Sequence, residues 1–139
     1  PGMVAADFAY TTANGNRHRL SDLRAHCTLL FFYNPGCPEC MRVKEYIADS
    51  QYLGAGIRSG KLRVLAVYPD EDVDQWRRHL EEMPPDWTVG YDRGSLILEK
   101  KLYDLRAIPC LYLLDAQKRV ILKDATIEQI EERISEIIN

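Results

Sequence analysis

An unbroken run, Thr28-Leu-Leu-Phe-Phe-Tyr33, stops at Asn34-Pro35-Gly36 and is followed at once by Cys37-Pro38-Glu39-Cys40. An apolar run of this length without polar alternation fits a strand covered on both faces in a parallel sheet. Pro38 suits the first turn of a helix, where its missing N–H would have had no partner. The expected unit is therefore strand, short loop and helix, with the two cysteines at the helix start. Positions i and i+3 lie one turn apart on one helix face, so the two sulfurs can come within bonding distance. Free N–H groups and the macrodipole at that end favour a negative charge on Cys37, and the thiolate is the reactive form of cysteine. This spacing in this setting implies thiol–disulfide exchange.

The rest of the composition narrows the choice. A chain of 139 residues suits one domain, residues 1–139, with one sizeable core. The net charge of −3 offers no broad basic field to nucleic acid or to an anionic membrane. No apolar run approaches the roughly 18 residues of a membrane span, and residues 1–7 lack the basic start and apolar stretch of a signal peptide. The chain begins at Pro1 rather than Met, which reads as a piece of a longer precursor. Four cysteines are too few for a disulfide scaffold in this length.

Hydrophobic periodicity sets out the remaining elements. A short strand is expected over 7–12, a turn at Asn14-Gly15, and a helical turn over 20–23 capped by Ser21 or Asp22. Cys40, Val43 and Ile47 share one face of a helix running from Pro38 to about Leu53, broken by Gly54, Gly56 and Gly60. Residues 62–68 form a second core strand. Val73, Trp76, Leu80 and Met83 recur at helical spacing until Pro84-Pro85. A short strand over 87–91 and a short helix capped by Ser95 and reaching about Leu102 follow. Residues 110–115 form a third strong strand, and a turn at 115–118 returns the chain through 119–123 as a hairpin. Thr126 with Gln129 makes a capping box for a last helix bearing Ile127, Ile130, Ile134 and Ile137. Helices between the early strands imply a parallel portion and the late hairpin an antiparallel one. The fold class is α/β, a mixed central sheet with helices on both faces.

In this order the chain resembles the thioredoxin fold, and more narrowly the TlpA/ResA-type extracytoplasmic thiol–disulfide oxidoreductases. Residues 5–23 resemble that family's N-terminal segment, with Asp7-Phe8, Asn14-Gly15 and Leu20-Ser21-Asp22-Leu23. Residues 29–40 resemble its strand and active-site loop, and 65–83 its extra helix between the two halves of the fold. Ile108-Pro109, followed by a strand and hairpin, resembles its cis-proline loop. The resemblance also shows departures. Gly36 stands where such loops usually carry Trp, Phe31 where thioredoxin has a buried acid, and Val43 where ResA-type proteins place a glutamate. Asn34 stands where peroxiredoxins have a threonine.

The resemblance implies that Cys37 is the exposed nucleophile and Cys40 the resolving thiol, with Pro109 cis and the backbone of Ile108 offered to a bound substrate chain. It implies cysteine-containing partner proteins, an upstream thiol–disulfide electron donor, an extracytoplasmic location and work as a reductase. Asn34, Pro35 and Gly36 shape the loop and are assigned no chemistry, and Pro38 belongs to the same loop at the helix start. Glu39 opposes the thiolate by like charge and also suits a helix start. No metal or organic cofactor is expected, because zinc asks for about four ligands and no second Cys-x-x-Cys or paired His motif is present. The rival readings of the cysteine pair are a structural disulfide or half a zinc site. For the whole chain they are a non-catalytic interaction domain of a larger envelope protein or a thiol peroxidase. Cys27 reads as core, and Cys110 as a small buried hydrophobe despite following Pro109. His18, His26 and His79 form no constellation.

Overall fold

The computed structural model describes residues 2–105 and 107–138. Seven strands form one sheet in the order β2-β1-β5-β4-β3-β6-β7. The central three, β3 (Cys27–Phe32), β4 (Leu62–Tyr68) and β5 (Thr88–Tyr91), run parallel. β6 (Cys110–Asp115) pairs antiparallel with β3, and β7 (Val120–Lys123) antiparallel with β6. On the other side, β1 (Ala9–Thr11) joins β5 and β2 (Arg17–Arg19) joins β1, both antiparallel. The mixed sheet is the expected one.

The reason the central strands read as solid apolar runs is visible in their alternation. Leu29, Phe31 and Tyr33 face one core cluster together with Val64, Ala66, Leu111 and Leu113. Leu30 and Phe32 face the opposite cluster with Leu65, Val67, Tyr112 and Leu114. Both faces are covered along most of these strands, so both parities of residue are mainly apolar, with Thr28 buried in β3 and Arg63 exposed in β4 as exceptions. Helices α1 (Pro38–Asp49), α2 (Gln51–Ser59), α3 (Val73–Arg78) and α5 (Ile127–Ile137) contribute to the first cluster. The short α4 (Leu96–Glu99) and the 3-10 turn Leu20–Asp22 contribute to the second. α3 lies between β4 and β5, as the extra helix was expected to. It seats Trp76, fully buried, with its ring 4.8 Å from that of Tyr91.

Several boundaries differ from expectation. The helix expected over 38–53 ends at Asp49, because Ser50 turns extended and its hydroxyl accepts the Leu53 N–H at 3.1 Å, starting α2. Gly54 and Gly56 do not break α2. Gly56 lies where α2 crosses β4, and a Cβ there would come 3.1 Å from Leu62 Cβ. Gly60, at φ 79°, is the residue that ends it. The helical pattern over 73–83 splits into α3 and a 3-10 turn at Leu80–Glu82. Ser95 makes no side-chain cap bond, and the Asp92 carboxylate accepts the Ile97 N–H at 2.6 Å instead. Ile137 is 44% exposed and lies outside the core stripe of α5. The 7–12 strand shortens to β1, and β2 beside it gives no periodic signal because Arg17, His18 and Arg19 are all exposed.

Gly90 in β5 gives a test of this packing. A Cβ there would lie 2.7 Å from Tyr10 Cδ2 and 3.0 Å from the Thr11 carbonyl of β1. Since backbone cannot yield as a side-chain tip can, Gly90→Ala is expected to destabilise the fold by about 2 kcal/mol, read as a lower urea midpoint at unchanged m-value.

Candidate active site

The strand, loop and helix at 28–40 assemble as the sequence implied. β3 ends at Phe32, and Cys37 is the N-cap of α1 with extended backbone, φ −100° and ψ 112°. Its Sγ accepts the Cys40 backbone N–H at 3.1 Å. One of the unpaired N–H groups at the helix end thus points at the sulfur. Cys37 is half-buried, whereas Cys40, one turn on, is 0% exposed and packed into the core with Val43 and Ile47. Burial pushes the Cys40 thiol up to about 12; the hydrogen bond with Cys37 adds to this and the Asn34 backbone N–H opposes it. The two cysteines therefore differ in kind, one reachable at a helix terminus and one dry and held as a thiol.

The loop before Pro109 closes the site from the other side. The Ile108–Pro109 peptide is cis, and the Cys37 thiol donates to the Ile108 carbonyl at 3.7 Å across 71 residues. Ile108 also packs against the core cluster that holds Cys40. The expected cis bond and its approach to Cys37 are both found.

The remaining residues singled out in the sequence fall as follows. A Cβ on Gly36 would lie 3.3 Å from Gln75 Nε2 on α3, so the space a bulkier residue would use is taken by that helix. Pro38 is at the first position of α1. Glu39 turns along the helix and accepts from Arg42 Nε at 2.6 Å, and Arg42 reaches on to Glu128 at 3.4 Å. The Glu39 charge is thus matched on the solvent side. Phe31 is fully buried with its ring 5.5 Å from Tyr33 and 6.3 Å from Trp87, and Val43 is buried in the same cluster. Both positions are apolar contacts of the core.

Cys110 lies on the opposite face of the sheet from Cys40, among Phe32, Tyr103 and Tyr112. Burial pushes its thiol up to about 12, with Asp124 adding to the shift. Cys27 is buried on the Cys40 side at the far end of β3, and burial raises its thiol too. His26 is exposed, and His79 pairs with Glu82 at 2.6 Å. Among the described residues no group of three or more His, Cys, Asp or Glu could hold a metal ion, and no helix is long and apolar enough to cross a membrane.

One set of contacts had no signal in the sequence. Asn34 and Asp70 are 36 residues apart, and Asn34 Nδ2 donates to Asp70 Oδ2 at 2.9 Å while its Oδ1 accepts the Gly36 N–H at 2.8 Å.

This geometry sets an order of reactivity. In the reduced protein iodoacetamide is expected to modify Cys37 first, with Cys40, Cys27 and Cys110 slower by at least about tenfold, since each is buried and disfavoured as a thiolate. Mass mapping after brief treatment checks this, and early modification of Cys40 would contradict it.

Comparisons with known proteins agree with the fold. The profile of the AhpC/TSA family matches residues 1–123. The thiol-disulfide oxidoreductase ResA of Geobacillus thermodenitrificans is 26% identical over 98% of this chain and 77% of its own length. A thioredoxin-like protein from Bacteroides caccae superposes with a TM-score of 0.95 at 47% identity, covering 97% of this chain. The chain spans 49% of that protein's length. The C-terminal domain of an uncharacterized protein from Bacteroides fragilis gives a TM-score of 0.94 at 43% identity, with 96% of each chain covered.

Proposed function

The chain belongs to the AhpC/TSA family, in the class of thioredoxin-like thiol–disulfide oxidoreductases, and from that premise we propose that Cys37 and Cys40 are its redox centre and exchange with cysteines of partner proteins. The observation that carries the reading is the pairing of a half-buried sulfur at a helix N-terminus with a fully buried thiol one turn on, under the Ile108 carbonyl. Residues 1–139 act as one such domain.

In the reductive direction the Cys37 thiolate attacks one sulfur of a partner disulfide. The partner S–S bond breaks, its other sulfur leaves as a thiolate and takes a proton, and a mixed disulfide forms. Cys40 then loses its proton and attacks the Cys37 sulfur, releasing the second partner thiol. Two electrons and two protons have passed to the partner, and a Cys37–Cys40 disulfide remains for an upstream thiol–disulfide donor to reduce. The pair itself carries the electrons, so the reaction asks for no metal or organic cofactor. Pro109 and Ile108 border the place where the partner chain lies.

Two features support reduction over oxidation. Strong oxidants of this chemistry owe their potential to a stabilised reduced form. Here burial disfavours the Cys40 thiolate, and the resemblance to ResA-type proteins points to a reductase. The resemblance to ResA-type proteins adds an extracytoplasmic site of action. Peroxide chemistry fits less well, because Asn34, three residues before Cys37, is engaged with Asp70 and Gly36. Reduction of a disulfide-bonded protein such as insulin with dithiothreitol as donor tests the reading. Turnover above the uncatalysed rate, without peroxide-dependent thiol consumption, is expected. Peroxide consumption without disulfide turnover would reverse the assignment.

A further inference from the structure

Asn34 holds the active loop from several sides. Its Oδ1 accepts the Gly36 N–H at 2.8 Å, and its backbone carbonyl accepts the Cys37 N–H at 3.1 Å. The N–H groups of residues 36 and 37 are both taken up in this way, and the Cys40 N–H goes to the Cys37 sulfur. The Nδ2 of Asn34 donates to Asp70 Oδ2 at 2.9 Å, two residues past the end of β4. This last bond ties the loop to the strand beside β3. The amide orientation is fixed by its neighbours, since a backbone N–H only donates and a carboxylate only accepts.

Resting on the disulfide-exchange reading, we propose that Asn34 is the positioning residue of the Cys37–Cys40 reaction, and that its bond to Asp70 holds the Cys37 sulfur in register with the N-terminus of α1. The Asn34 side chain bonds Asp70 and the Gly36 N–H rather than a sulfur. It acts by fixing the loop from which Cys37 reacts, and small displacements of a reacting atom lower rate steeply. An amide suits both neighbours at once. A carboxylate at position 34 would still accept from Gly36 but would confront Asp70, and alanine would do neither.

Reversal of the bond's polarity tests this. N34D sets two carboxylates against each other, whereas N34D/D70N restores the contact with donor and acceptor exchanged. For insulin reduction, N34D is expected to lower kcat by about tenfold or more with KM little changed, as the hydrogen bond to Asp70 is lost. The double variant is expected to recover to within about threefold of the unmodified protein, because the pair acts as one unit. The iodoacetamide rate of Cys37 should fall and recover in parallel. A double variant as slow as N34D in both readouts, or an N34D protein as fast as the unmodified one, would overturn the proposal. If the unmodified protein shows no more insulin turnover than C37S, the disulfide-exchange reading fails, and the iodoacetamide rates still decide the role of Asn34. A merely structural role would lower the melting temperature of N34D and leave kcat of the folded protein unchanged.

Discussion

Replacing Cys37 with serine is expected to abolish disulfide turnover while leaving the fold intact. The hydroxyl is nearly the same size and can still accept the Cys40 N–H that now reaches the sulfur at 3.1 Å. Cys37 is half-buried at the loop surface, so little packing is lost. Chemistry fails because a serine hydroxyl neither ionises near neutral pH nor forms a disulfide. Loss of a covalent nucleophile lowers turnover by roughly a thousandfold or more. Insulin reduction reads the activity and thermal melting reads the fold. A C37S protein that keeps more than about a tenth of the activity would move the nucleophile elsewhere.

Replacing Cys40 with serine is expected to do the opposite of silence the site. Cys37 still attacks a disulfide, but nothing resolves the product, so the mixed disulfide with the partner accumulates. Mass spectrometry of C40S after exposure to a disulfide-bonded protein should show one adduct, mapped to Cys37. The same logic gives the unmodified protein a pH dependence. Cys40 is pushed up to about 12 in the dithiol state, chiefly by burial. Below its pKa, the thiolate fraction rises about tenfold per pH unit, so resolution of the mixed disulfide quickens as pH rises from 6 toward 8. An adduct on Cys27 or Cys110, or no adduct at all, would contradict the assignment of roles.

What the sequence made legible was whatever rests on local pattern. The run 28–33, the cysteine spacing and Pro38 fixed strand, loop and helix start, because burial on both faces and helix-end chemistry leave direct marks in residue type. Thr126 and Gln129 gave the start of α5 in the same way, each accepting the other's backbone N–H at about 3.1 and 3.0 Å. Contacts between distant segments left no such mark. Ser50 as the junction of α1 and α2 was hidden because the apolar pattern runs on through Leu53, and Ser50 also donates to Glu131, 81 residues away. Strand β2 was hidden because an exposed edge strand needs no alternation. The Asn34–Asp70 bond joins two strand ends that only the parallel pairing of β3 and β4 brings together.

The measurement closest to the central claim is a redox titration of the protein in dithiothreitol and glutathione buffers, with trapping and mass mapping of all four cysteines. Cys37 and Cys40 are expected to convert together in one two-electron transition, with a midpoint nearer the about −270 mV of thioredoxin than the about −120 mV of strong oxidants. Cys27 and Cys110 are expected to stay reduced throughout. Persistence of free Cys37 and Cys40 thiols under oxidising glutathione, or pairing of Cys37 with either of the other two, would contradict it.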